Sequence, residues 1–135
     1  MHILVVEDDF ISRRLLCRYL EPLGGADVAV NGSEAVEAVR VALASDTYYD
    51  LICLDIMMPG MSGQEALGLI RELEEENGLS EGNGAMVVMT TALEDHENIQ
   101  QAFSSAADGY VVKPIEKRVF MATLVDLDLD VTQVT

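Results

Sequence analysis

Four places in the chain put charge-handling groups directly after short apolar runs. Glu7-Asp8-Asp9 follows ILVV (3–6), Asp55 closes LICLD, Thr90-Thr91 ends AMVVMTT, and Lys113-Pro114 follows GYVV. Carboxylates gathered within a few ångströms cannot all stay ionised unless a cation joins them. Hard oxygen donors suit Mg²⁺, which keeps several waters and often takes only one or two carboxylates plus a phosphate. A carboxylate beside such a metal has the makings of a nucleophile toward phosphorus, because the cation neutralises the charge that develops during transfer. A threonine hydroxyl would donate to one phosphoryl oxygen, and a lysine would pair with another as a point charge. Together these are the parts of an aspartyl-phosphate site.

For those groups to meet, the apolar runs must lie side by side and end at one edge. ILVV is continuous rather than alternating, which predicts a strand buried on both faces. ADVAV (26–30), LICLD (51–55), AMVVMT (85–90) and GYVV (109–112) supply four more strands. Between them lie helical spacings: Ile11, Leu15, Leu16, Tyr19 and Leu20 with arginines opposite; Val36, Val39 and Leu43 after Asn31-Gly32-Ser33; and Leu67, Ile70 and Leu73 after the Ser62–Glu65 capping box. A short helix is predicted from Asp95, with Ile99, Ala102, Phe103 and Ala106 inward, and a last one over IEKRVFMATLV. The stretch 74–84 loses the period and is expected to be a long acidic loop, its glutamates 74–76 a solvated helix end. Five strands alternating with five helices predict a three-layer α/β domain with a parallel sheet. In such sheets ligands bind beyond the carboxyl ends of the strands, where the four groups above would gather.

Composition narrows the class. Half of the 135 residues are hydrophobic, enough for one cored domain. The net charge of −16 argues against nucleic acid as a direct partner. No apolar run approaches the ~20 residues that span a bilayer, so no membrane association and a cytoplasmic location are expected. Cys17 and Cys53 lack CxxC spacing and are expected as free, buried thiols; His2 and His96 are isolated.

The ordered set ILVVEDD, DLICLDIMMPGMSG, VVMTTA and GYVVKPI resembles the response-regulator receiver domain of two-component signalling, over about residues 2–125. The resemblance implies a flavodoxin-like fold with strand order 2-1-3-4-5 and a receiver domain over residues 1–125. The acidic tail DLDLDVTQVT (126–135) alternates like a strand but has acids on one side and no turn before it, and is expected to be frayed. It implies Asp55 as phosphoacceptor, and Glu7, Asp8, Asp55 and the Met57 carbonyl as ligands of Mg²⁺, with Mn²⁺ able to substitute. It implies Thr91 as the switch hydroxyl, Lys113 as the phosphate-pairing lysine before a cis proline, and Tyr110 as the aromatic that follows the switch. Asp9 is expected to cap the first helix. The implied donor is a histidine kinase or a histidine phosphotransfer protein. The implied output face is the fourth predicted helix, fifth strand and last helix, acting on a protein target.

The resemblance also implies that the residues two positions after Asp55 and Thr91 influence access of the hydrolytic water; here they are Met57 and Leu93, both apolar and unable to orient it. A long-lived phosphoryl group is therefore expected. Two rival readings fit less well. A haloacid-dehalogenase-like phosphohydrolase needs a second acid two residues after its nucleophile, where Met57 stands. A pseudo-receiver binding module would have lost the acid pair, Asp55, Thr91 or Lys113, and all are present. A stand-alone receiver, a phosphorelay intermediate and a piece of a longer chain all remain open.

Overall fold

The computed structural model describes residues 1–80, 82–92 and 106–131. In chain order the elements are β1 (Ile3–Val6), α1 (Phe10–Leu20), a 3₁₀ turn (Glu21–Leu23), β2 (Asp27–Ala29), α2 (Gly32–Ala44), β3 (Leu51–Asp55), α3 (Gly63–Glu76), β4 (Met86–Ala92), β5 (Gly109–Lys113) and α4 (Lys117–Asp126). The strands form one parallel sheet in the order β2-β1-β3-β4-β5. Side chains alternate across it into two clusters. Leu4, Val6, Ile52, Leu54, Val87 and Met89 meet α2 and α3 on one face, while Ile3, Val5, Leu51, Cys53, Val88 and Val111 meet α1 and α4 on the other. Both faces being covered explains why ILVV and LICLD read as unbroken apolar runs. Each fully buried Leu, Ile or Val contributes roughly 1.5–3 kcal/mol against exposure.

The expected three-layer fold and strand order are present. Among the described residues there are four α-helices rather than five, because the helix predicted from Asp95 lies outside them except for its last residue, Ala106. The expected solvated glutamates need correction. Helix α3 runs on to Glu76, and Glu74 is buried, with Arg71 Nη1 at 2.7 Å and the Ala85 N–H donating to it at 2.7 Å. Past α4, Asp128 takes a left-handed φ of 61° and the Leu129 N–H returns to Leu124 O. That turn lets Leu127, Leu129 and Val131 pack against the second cluster while Asp126, Asp128 and Asp130 face solvent. Cys53 is buried and Cys17 half-buried, both free; burial pushes the Cys53 thiol up to about 12, so it is chemically quiet.

Candidate functional site

The site is built where β1, β3 and β5 end. Glu7 follows β1 and is fully buried; its N–H donates to Ala29 O on β2, which holds the strand end in the sheet. Asp9 caps α1, its Oδ2 accepting the Ser12 N–H at 2.8 Å. Arg13, one turn into that helix, donates from Nη1 to the Glu7 carbonyl at 3.0 Å and lies 3.4 Å from the Asp8 carbonyl. The acidic corner is thereby tied to the helix that follows it. Nothing in the sequence singled out Arg13 from the other arginines of α1. Its position one turn after a capping aspartate is the signal that was available.

Asp55 ends β3, paired in register with Thr90 of β4, and is 3 % exposed. One carboxylate oxygen from each of Glu7, Asp8 and Asp55 lies within 4.8 Å of the other two. Lys113, at the end of β5, brings its Nζ to 3.2 Å from Glu7 Oε1, 3.0 Å from Glu7 Oε2 and 3.3 Å from Asp55 Oδ1. The Lys113–Pro114 peptide is cis, as the resemblance implied. Three acids and one ammonium leave an excess of negative charge in a largely dry corner. Burial first, and the charge of Glu7 second, therefore raise the Asp55 carboxyl to about 7, against the opposing pull of Lys113. Burial works against the Lys113 ammonium, but the hydrogen bond with Glu7 and the charges of Asp55 and Glu7 prevail and raise it above its ordinary value.

A divalent cation fits this arrangement. Glu7 Oε2 is buried with the Lys113 ammonium near it but no aligned hydrogen bond, and Asp8 is exposed with its carboxylate at the mouth. A hard cation would take up both and relieve the repulsion that lifts Asp55.

The other expected site residues stand as follows. Thr91 is buried at the end of β4, and its hydroxyl donates to the Ala92 carbonyl at 3.3 Å rather than to Asp55. Tyr110 lies on β5, packs against the first cluster, and its phenol is raised by burial. Met57 follows β3 with its side chain 63 % exposed, whereas Met58 is buried. Leu93 lies outside the described residues.

The model of the response regulator receiver domain matches residues 3–125. This chain belongs to that family. It is a receiver domain of two-component signal transduction, a family of phosphorylation-dependent switches rather than turnover enzymes, whose acidic pocket generally holds Mg²⁺. It is 40 % identical over 117 residues to the transcriptional regulatory protein ResD of Bacillus subtilis, covering 86 % of this chain and 43 % of that protein. It is 34 % identical over 126 residues to the chemotaxis protein CheY of Halobacterium salinarum, covering 93 % of this chain and 94 % of that one. This receiver thus spans under half of ResD and nearly all of CheY. Its fold matches that of the Saccharomyces cerevisiae Ssk1 receiver domain, crystallised with the histidine phosphotransfer protein Ypd1, with a TM-score of 0.77 at 24 % identity, covering 98 % of this chain and 93 % of that one.

Proposed function

We propose that Asp55 takes a phosphoryl group from the phosphohistidine of a partner kinase or phosphotransfer protein. The observation that carries this is the convergence of Glu7, Asp8 and Asp55 within 4.8 Å, with Lys113 bridging the two buried acids. An Asp55 oxygen attacks phosphorus as the P–N bond breaks, and the imidazole leaves with that electron pair. Glu7 and Asp8, with the Met57 carbonyl, would hold the Mg²⁺, which supplies charge neutralisation at the phosphoryl oxygens. Lys113, already beside Asp55, pairs with one of those oxygens. Thr91 then exchanges its Ala92 bond for another, and that exchange, with Tyr110 and α4, is the switch. Phe10, Ile11 and Met57, at 57, 71 and 63 % exposed, rim the same sheet end and suit a docking protein. No helix among the described residues is long and apolar enough to cross a membrane. The net charge of −16 disfavours direct nucleic-acid contact, and the donor and target are taken to be cytoplasmic proteins.

Incubation with acetyl phosphate and Mg²⁺ is expected to add about 80 Da to the intact mass. The adduct is expected to disappear with Asp55→Asn or with chelation of the metal. An adduct that survives Asp55→Asn sinks the assignment.

The lifetime of the mark follows from Met57, two residues past Asp55 and 63 % exposed, whose apolar side chain can shield but not orient water. The double variant Met57→Asn with Leu93→Glu is expected to lose its phosphoryl group about tenfold faster. Radiolabel decay measures this, and equal half-lives would refute the shielding role.

A further inference from the structure

The sheet's other edge carries a feature the phosphoacceptor reading does not use. Strand β2 is an edge strand, opposite β5 in the sheet order. Ala29 turns its carbonyl to β1, where Glu7 N–H donates to it, so Val28, one position back, turns its N–H and C=O outward. Val28 is 46 % exposed, and across a groove of about 460 Å³ Val41 of α2 is 52 % exposed, with the Tyr49 ring in the lining. Carboxylates stand around this apolar strip in fixed positions. Asp27 Oδ2 accepts from Tyr49 OH and lies 3.2 Å from His2 Nε2, while Glu34 Oε1 accepts the Val30 N–H, leaving one oxygen of each for a further donor. A strand edge that turns the Val28 N–H and C=O outward beside an apolar groove, its Val30 N–H held by Glu34, is a geometry that accepts an added strand at Val28, with backbone bonds for affinity and alternate side chains for selection. Acids at the rim, on a chain of net charge −16, repel a second copy and attract cations.

We propose that the β2–α2 edge docks an extended segment of a partner protein in which Lys or Arg alternates with aliphatic residues, and that it does so whatever the state of Asp55. The inference does not rest on the phosphoacceptor reading. The probe is a synthetic peptide alternating lysine with valine, about nine residues long, titrated into the isotopically labelled chain. Amide shifts are expected to concentrate on residues 27–30, on α2 and at Tyr49; shifts spread over α3 or α1 overturn the proposal. The sign of a charge-adding variant separates groove docking from general attraction to an acidic protein. Val41→Asp adds a negative charge yet is expected to weaken binding about tenfold, whereas Val125→Asp, adding the same charge on α4, is expected to leave it equal or slightly stronger. Strengthening by Val41→Asp overturns the proposal. Asp55→Asn is expected to leave the affinity unchanged, and a change of threefold or more would overturn the independence. A chain dimer that Val41→Asp abolishes would assign the edge to a second copy and overturn the basic partner.

Discussion

Mg²⁺ affinity is expected to fall about tenfold for each pH unit below 7 and to level off above about 8. Asp55 is the reason. Burial and then the charge of Glu7 hold its carboxyl at about 7, so at pH 6 the metal-free site carries a proton that a cation must displace. At pH 6 close to one proton leaves per metal bound, falling toward none above pH 8, and calorimetry in buffers of different ionisation enthalpy reads that release directly. Asp55→Asn is expected to weaken binding at pH 8 and to flatten the slope. Affinity that is level between pH 5.5 and 7.5 would mean the carboxyl is already ionised there. The shift also has a sign for stability. Between the ordinary value of 3.8 and about 7, the folded chain holds a proton that the unfolded chain has lost. Metal-free stability therefore falls as pH rises through that window, and the penalty is complete above it. Asp55→Asn is expected to melt higher than the native sequence at pH 8 without metal, and to lose that advantage at pH 4.

The parts of this site that were legible in the sequence are those fixed by strand ends. Asp55 and Lys113 follow apolar runs whose register is set by burial on both faces, so their arrival at one edge follows from topology alone. The unequal burial of the acid pair was not legible. Glu7 is inside because its N–H completes the β1–β2 ladder and Lys113 closes over it, whereas Asp8 faces out. Both depend on partners distant in sequence. Thr91 was placed correctly at the edge, but its hydroxyl bonds the neighbouring Ala92 carbonyl, a local alternative that spacing cannot reveal.

Glu74 was misread for a related reason. Three successive glutamates look solvated, yet the first sits under Gly84, where an added Cβ would meet the Glu74 carboxylate, and beside Arg71, which also reaches the Ala106 carbonyl and Asp108. The spacing of Arg71 and Glu74, three residues apart on a helix, was a hint; the distant backbone donor at Ala85 was not. The described part of the tail, 126–131, departs from the expected fraying for another reason. Its alternation was visible, but the turn that directs it inward is made by Asp128 in a left-handed conformation instead of by a glycine.

Two glycines of α3 are expected to respond to alanine in opposite directions. Gly63, the first residue of the helix, donates its N–H to Ile56 O at 2.8 Å and sits against the strand that ends in Asp55. A Cβ there would lie 2.2 Å from the Asp55 carbonyl oxygen and 2.8 Å from Ile56 Cα, both backbone atoms that cannot turn aside. Gly63→Ala is expected to cost about 3 kcal/mol or more and to push Asp55 off its line with Glu7 and Lys113. Gly68, mid-helix and exposed, has nothing within 4 Å of its added Cβ. Gly68→Ala is expected to stabilise by about 0.5–1 kcal/mol through helix propensity, with acetyl phosphate reactivity unchanged. Urea denaturation measures both. If Gly63→Ala unfolds at the native midpoint and still takes up the phosphoryl group at the native rate, the close seat of α3 beneath Asp55 is not what holds that carboxylate in place.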